Sequence, residues 1–419
     1  MRQMKSSGIE WIGAVPVTWE IHPIYFYFSE RKNKNIFGTE HNLLSLSYGH
    51  VIRKNINTVG GLLPESFNTY NIIEANDIII RPTDLQNDKK SLRTGLCNEH
   101  GIITSAYIAL KPIAEVNVSF VQYLLHTYDI MKVFYNMGNG VRQGLNYSEF
   151  SKLMLFLPSI DEQSIIADFL DKKCVELDSL ISDIQSQIEI LEEYKRSVIT
   201  EAVTKGLDPD VEMRDSGIDA FELIPKHWEV LKIKWLLRER NERSVLGEEE
   251  PLSMSQKFGI IPTSQMDIIP NMASSFVGAK ITHIDDLVFN KLKAHLGVFA
   301  VSKYYGLVSP DYAVYFTSGK SIVKYLEFLF KTDNCISEFK RRSTGVGAGL
   351  TRLYTSDLFD IKVPIPPISE QMEIAKHLDC KISEINLAIS EKQQQIETIE
   401  EYKKSLIFEY VTGKKEVTQ

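Results

Sequence analysis

Cysteine is scarce in this sequence: four in 419 residues, Cys97, Cys174, Cys335 and Cys380, far apart and with no CxxC pair. That spacing excludes a disulfide framework and a cysteine zinc site, and leaves all four as packing residues. No apolar run approaches the ~20 residues that a membrane helix needs. The start, MRQMKSSGIEW, lacks the apolar core of a signal peptide, so a cytoplasmic chain with no membrane partner is expected. Signatures of chemistry are missing too. There is no glycine-rich cofactor loop after a strand, no Asn/Asp-Pro-Pro-Tyr/Phe tetrapeptide, no GxxxxGK[ST] phosphate loop, and no HExxH or other close metal-ligand spacing among the nine histidines. The reading is therefore of a chain with no catalytic residues, no metal site and no cofactor. Disorder is excluded as well, because 43 % hydrophobic and 24 % charged residues is the balance of an ordinary globular chain long enough for two or three cores.

What the sequence does have is a repeat. MKSSGIEWIGAVPVTWE (4–20) returns as MRDSGIDAFELIPKHWE (213–229) at an offset of 209 residues. In the same order, LLSLSYG (43–49) pairs with PLSMSQKFG (251–259), DIIIRPTD (77–84) with DLVFNKLK (286–293), and GIITSAYIAL (101–110) with GLVSPDYAVY (306–315). GVRQGL (140–145) pairs with GVGAGL (345–350), LPSIDEQSIIADFLD (157–171) with IPPISEQMEIAKHLD (365–379), and EILEEYKRSVITEAVT (189–204) with ETIEEYKKSLIFEYVT (397–412). The chain is two copies of one unit, in the order globule, helix, globule, helix.

The helical parts announce themselves by period. Pro158 and the pair Pro366, Pro367 close an extended run, and Asp161 and Ser369 stand as N-cap candidates beside an EQ pair. Apolar positions then fall at Leu177, Ile181, Ile184, Ile188, Leu191 and Val198, and again at Ile385, Ile389, Ile396, Ile399 and Leu406, with Lys392 replacing one member of the second series. This approximates the 4,3 alternation of a coiled-coil seam. Roughly 30 residues of helix make a rod of about 45 Å, and two such rods would bury their stripes against each other. Between them, residues 20–156 and 229–363 carry short β-branched and aromatic runs separated by Gly, Asn and Pro. Helical stretches fall near 118–135 and 321–341, so each globule reads as mixed α/β.

The net charge of −8 hides a partition. The first globule (20–156) has 13 Lys+Arg against 12 Asp+Glu and the second (229–363) 18 against 15, whereas the arms have 4 against 11 (161–204) and 5 against 9 (369–412). Acidity sits on the rods, which leaves the globules free to present cationic faces to nucleic acid. KRRSTGVGAG (340–349) is the densest cationic cluster, and Arg142 and Gln143 stand at the related place in the first copy. Paired loops on a duplicated unit suit two half-sites of a duplex.

These segments, with RPTDLQNDKKSLR (81–93), GVRQGLNYSEF (140–150) and LVFNKLKAHLGVF (287–299), resemble the specificity subunit of type I restriction–modification systems over essentially the whole chain. The resemblance implies an α+β fold: two mixed α/β target recognition domains (1–156 and 207–363) separated by two long antiparallel coiled-coil helices (157–206 and 364–419) with an internal pseudo-twofold repeat. It implies a non-catalytic chain that binds one bipartite, asymmetric site on double-stranded DNA. Its helices would dock two methyltransferase subunits and, through them, restriction/translocase subunits. Two departures, the loss of Trp11 in DAFELIP and the His295–Leu296 pair, bear on the target read rather than on the family. The competing class is a coiled-coil scaffold that binds no nucleic acid; a steep salt dependence of duplex binding separates the two.

If DNA is the ligand, Lys and Arg meet phosphates, while Arg on guanine and Asn or Gln on adenine choose sequence. The candidates are Arg53, Lys54, Arg142, Gln143, Asn146 and Tyr147 in the first reader, and Lys291, Lys293, Lys340, Arg341, Arg342, Arg352 and Tyr354 in the second. Trp19 and Trp228, each after a proline-containing turn and before Glu, read as anchors of the opening segment.

Overall fold

In this computed structural model the described residues are 2–56, 64, 66–83, 85, 92–133, 137, 144–255, 258–266, 275–345 and 351–417. The chain divides into two compact units, Met1–Ile184 with Gln394–Gln419, and Gln185–Gln393. Arg142 and Gln143 lie outside the described residues.

Within the first unit, the apolar run at 78–80 forms the inner strand of a four-stranded antiparallel sheet ordered Phe28–Glu30, Ile108–Pro112, Ile78–Ile80, Thr94–Leu96. Side chains alternate across a strand, so a strand apolar at every position must be covered on both faces. It is: Ile78 and Ile80 join the main core with Phe120 and Leu124, while Ile79 joins a smaller cluster with Leu44, Ile73 and Cys97 on the other side. The second unit repeats this sheet as Leu237–Glu239, Tyr312–Thr317, Leu287–Asn290, Phe299–Val301. There Leu287 and Phe289 face the main core and Val288 the opposite cluster with Leu252 and Val314. Fully burying one such side chain is worth about 1.5–3 kcal/mol, which makes this strand the organising element of each reader.

The helical stretch at 118–135 forms as Val118–Ile130, capped by the Asn117 side chain, which accepts from Phe120 N–H at 3.0 Å. The stretch at 321–341 is not one helix but two, Val323–Phe330 and Asp333–Arg342. Thr332 between them is extended and caps the second with its hydroxyl oxygen, the competition between local capping and helix continuation that Thr often settles this way.

The long helices span Ile160–Lys205 and Ile368–Val411, 46 and 44 residues. They exceed the length of the seam because their first turns bury Ile166, Ala167 and Leu170, or Ile374, Ala375 and Leu378, in the cores of the globules. In the first unit Phe169 meets Tyr410 with ring centroids 4.6 Å apart, and Lys403 donates to Asp178 at 2.7 Å. In the second, Lys195 donates to Asn386 at 3.2 Å and Lys392 reaches Gln187. In each unit residue numbers rise along one helix as they fall along the other, so the segments are antiparallel. Lys392 therefore serves the seam through a polar partner. The first helix is capped by Ser159, whose hydroxyl accepts from Glu162 N–H, and not by Asp161; in the second copy Pro367 precedes the helix and supplies no cap side chain.

The EQ pair has a different use from capping. Gln163 is buried, accepts from Asn117 N–H at 2.9 Å and donates to Pro158 O at 2.9 Å. Gln371 accepts from Ile322 N–H at 3.0 Å and donates to Pro366 O at 2.9 Å. One amide thus ties the start of each long helix to the start of a globule helix. The opening segments form hairpins, Met4–Ser6 with Ala14–Pro16 and Met213–Asp215 with Leu223–Pro225. Lys5 donates to Trp19 O and Arg214 to Trp228 O, both at 2.7 Å, and both tryptophans are buried. Trp11 packs edge-on against Tyr128 at 5.0 Å, a contact the second copy lacks because Ala220 stands at that place. Cys97, Cys174 and Cys335 are buried as expected; Cys380 is exposed on the outer face of its helix, so packing does not account for it.

Candidate nucleic-acid interface

The sheet strand that organises each reader is held at its start by a buried ion pair. Asp77 accepts from Arg31 NH2 at 3.0 Å and from Glu74 N–H at 2.9 Å; Asp286 accepts from Arg240 at 2.7 and 3.0 Å and from His283 N–H at 2.8 Å. Burial pushes the Asp77 carboxyl above its ordinary range, and the Arg31 guanidinium opposes that shift. Both pairs are separated by 46 residues and lie 209 apart in the chain. Sequence reasoning missed them, although an Arg and an Asp recurring together across a repeat was a readable signal.

The strand ends by delivering its chain to a loop that receives a second segment. In the first unit Leu145 N–H donates to Pro82 O at 2.9 Å, and in the second Leu353 N–H donates to Lys291 O at 2.9 Å. These two bonds make Leu145 and Leu353 structural counterparts. The likeness of GVRQGL to GVGAGL therefore misplaces the second loop: Leu145 corresponds to Leu353 and not to Leu350.

Around that junction the second unit gathers several of the candidates. Lys291 and Lys293 follow the strand, and Arg352 lies in a two-residue strand paired with Thr344–Gly345. Tyr354, partly exposed, precedes the short helix Thr355–Phe359. Asn290 holds the loop by accepting from Leu292 and Lys293 N–H at 3.1 and 3.2 Å. Arg352 is paired with Asp311 at 2.6 Å. Lys340, Arg341 and Arg342 form the last turn of Asp333–Arg342, immediately before this hairpin. Glu338 takes both Arg341 and Arg342, at 2.9–3.0 Å, and its carboxyl is lowered chiefly by the Arg341 hydrogen bond. Those two arginines are oriented from below, whereas Lys340 is exposed with no ion pair among the described residues. A concavity of about 390 Å³ lies beside them, lined among others by Lys232, Arg341, Arg342 and Asp360.

In the first unit Asn146 and Tyr147 occupy the matching junction, in different roles. Asn146 caps the helix Tyr147–Phe150, accepting from Glu149 N–H at 3.0 Å, and Tyr147 donates its hydroxyl to Phe28 O at 2.9 Å. Arg53 and Lys54 sit elsewhere, at the end of the hairpin Leu44–Ser47 with His50–Arg53. Glu99 holds Arg53 at 2.5–2.6 Å, which lowers the Glu99 carboxyl and raises the guanidinium. Lys54 is exposed. Sequence reasoning also missed Lys280, which packs among the second-unit candidates and donates to Tyr312 O at 2.7 Å.

Four histidines serve as partners of acids: His22 with Glu20, His100 with Glu74 and Glu40, His227 with Glu370, and His283 with Glu242. Among the described residues no helix is long and apolar enough to cross a membrane.

Comparison with known proteins agrees with this layout. Residues 225–398 match the family described as the type I restriction modification DNA specificity domain. The chain is similar to the putative type I restriction enzyme MjaX specificity subunit of Methanocaldococcus jannaschii, 26 % identical over 309 residues, or 72 % of this chain and 68 % of the relative. It is similar to the MjaVIII specificity subunit of the same organism, 23 % identical over 360 residues, or 82 % of this chain and 80 % of the relative. A solved chain from a study of complex assembly and conformational transition of the type I R-M system shares the fold, with a TM-score of 0.68 at 12 % identity over 95 % of this chain and 99 % of that one.

Proposed function

We propose that this chain, which belongs to the type I restriction–modification specificity subunits, recognises one split and asymmetric site on double-stranded DNA, each reader taking one half. The observation that carries this is a frame repeated with unlike edges. The buried pairs Arg31–Asp77 and Arg240–Asp286, the tryptophans and the glutamine ties recur residue for residue. The side chains at the loop junction differ, with Gly144 and Asn146 against Arg352 and Tyr354. One scaffold with two different edges is what two different half-sites require.

The chain is the non-catalytic member of an assembly with methyltransferase and restriction subunits. We assign one methyltransferase to each half of the repeat, two in all, docked on the long helices, with restriction/translocase subunits joining through them. The domain limits 1–156, 157–206, 207–363 and 364–419 then separate readers from docking arms. In the readers, Arg53, Lys54, Lys293 and Lys340 suit phosphate contact, and Arg142, Gln143, Arg341 and Arg342 base edges. The assembly works in the cytoplasm, where the cell's DNA is.

Sequencing of methylated bases in cells that express this chain with its methyltransferase tests the reading. The expected result is one bipartite motif with a fixed spacer. Methylation at an undivided motif, or none that depends on this chain, would overturn it.

A further inference from the structure

Three cations meet in the second reader with too few acids to match them. Lys280 is buried, donating to Tyr312 O at 2.7 Å with Glu239 3.5 Å away, and Arg352 is held by Asp311 at 2.6 Å. Lys291, half-buried beside both, has no ion pair of its own among the described residues. Its ammonium is lowered first by burial and then by the charge of Lys280, with Arg352 adding to it and Glu239 and Asp311 opposing. Arg352 Nε is buried and donates to no acceptor among the described residues. A partly dry cation that lacks a counter-ion costs stability, so its retention calls for an anion supplied from outside.

Among the described residues, the first reader carries no cation at the three matching positions. The counterpart of Lys280 is Asn71, which takes part in the same kind of bridge: Lys34 with Asn71, Arg243 with Lys280. The shared backbone bonds put Pro82 opposite Lys291 and Gly144 opposite Arg352. Three neutral residues therefore stand where the second reader has three cations. Both copies keep the frame, so the difference is not a requirement of folding.

We infer that Lys280, Lys291 and Arg352 form an anion site that takes a backbone phosphate of the second half-site, and that Asn71, Pro82 and Gly144 at the matching positions of the first reader form none. This rests on the DNA-binding reading above and adds to it an asymmetry: the second half-site is held by one more phosphate contact through this cluster. The neutralising ligand is a phosphodiester because the uncompensated charge belongs to a lysine ammonium flanked by a second lysine and a guanidinium, and point charges of that kind meet phosphate oxygens whatever the base.

The test uses the full chain with its methyltransferase partners, on duplexes carrying the bipartite site found by methylome sequencing. Binding is followed against salt concentration for the wild type, Lys291→Met and Lys291→Arg. Each phosphate neutralised contributes about 0.9 to the slope of log K against log salt. Lys291→Met is expected to lower that slope by about 1 and to weaken binding about tenfold, equally for all sequences of the second half-site. Its melting temperature should equal or exceed that of the wild type, since an unmatched cation has been removed. Lys291→Arg should keep the wild-type slope. An unchanged slope in Lys291→Met would overturn the site, and so would a loss confined to one base pair, which would make it a base contact. A wild-type chain that binds no duplex would instead remove the reading on which the site rests.

Discussion

Trp228 donates its indole N–H to Glu370 Oε1 at 3.0 Å, whereas its counterpart Trp19, equally buried, has no acceptor for that N–H among the described residues. In the first unit the matching carboxylate, Glu162, is turned to Arg2. The same anchor is therefore bonded in one copy and held by packing in the other, where Trp19 lies edge-on to Phe120 at 6.0 Å. Replacing Trp228 by Phe should cost about 1–2 kcal/mol more than replacing Trp19 by Phe, because only the first change removes a hydrogen bond to a part-buried carboxylate. Thermal unfolding of the two variants measures the difference.

Each tryptophan also presses on a glycine with positive φ. At Gly413 a Cβ would stand 2.5 Å from Pro16 and 3.0 Å from Trp19; at Gly206 it would stand 3.1 Å from a Glu370 oxygen and 3.5 Å from Trp228. Both Gly→Ala changes incur about 1–2 kcal/mol of left-handed strain. Gly413→Ala adds a collision with a rigid ring, about 1–3 kcal/mol more, while the Glu370 side chain can yield to Gly206→Ala. Calorimetry should rank Gly413→Ala as the more damaging.

How far the sequence disclosed this molecule depends on how far apart the partners lie. The repeat, the two helices and the all-apolar strands were legible because each is written in a period of a few residues. Gln163 and Gln371 looked like helix-start residues, since their real partners, Asn117 and Ile322, lie 46 and 49 residues upstream. The break at Thr332 was hidden inside an unbroken amphipathic stretch. Lys280 carried no signal at all, because only the fold brings it to Lys291. The matched glycines of GVRQGL and GVGAGL drew the wrong pairing, which the backbone bonds of Leu145 and Leu353 correct.

The buried ion pairs predict a further cost. Arg31→Met leaves the fully buried Asp77 carboxylate without its cation and should destabilise the first reader by about 3–5 kcal/mol. The double change Arg31→Met with Asp77→Leu should recover most of that loss, because neither charge remains buried. Urea unfolding of the single and double variants decides this, and failure of the double variant to recover would mean that the pair's hydrogen bond to Glu74 N–H is what the strand needs.

His126 sets an acid limit. It sits on Val118–Ile130, where burial lowers its pKa from 6.5 to about 4, with Lys403, His50 and Lys404 adding to the shift. Below pH 6.5 the unfolded chain takes up a proton that the folded chain refuses until about pH 4, so stability falls as pH falls through that window. The loss is at most about 3 kcal/mol. His126→Gln should flatten this part of the profile, read as hydrogen exchange of the amides in Val118–Ile130 at pH 6.5 and 4.5. Equal slopes in both proteins would show that His126 does not report the acid transition.

The readers themselves yield the prediction closest to function. Arg142 and Gln143 lie outside the described residues, but they directly precede Gly144 and Leu145, whose counterparts Arg352 and Leu353 sit beside the second reader's cations. An Arg–Gln pair offers two donors for guanine and a donor with an acceptor for adenine, the chemistry of direct readout. Replacing both by Ala should therefore relax or weaken recognition at one half-site by about 1–3 kcal/mol for each lost base contact, while preference at the other half-site stays as it was. Methylome sequencing of cells carrying the variant separates the outcomes. Relaxation confined to one half places these side chains on base edges. A uniform loss for every DNA sequence would place them on phosphates, and an unchanged motif with full methylation would take them off the DNA, leaving Asn146 and Tyr147 to account for what the first reader chooses.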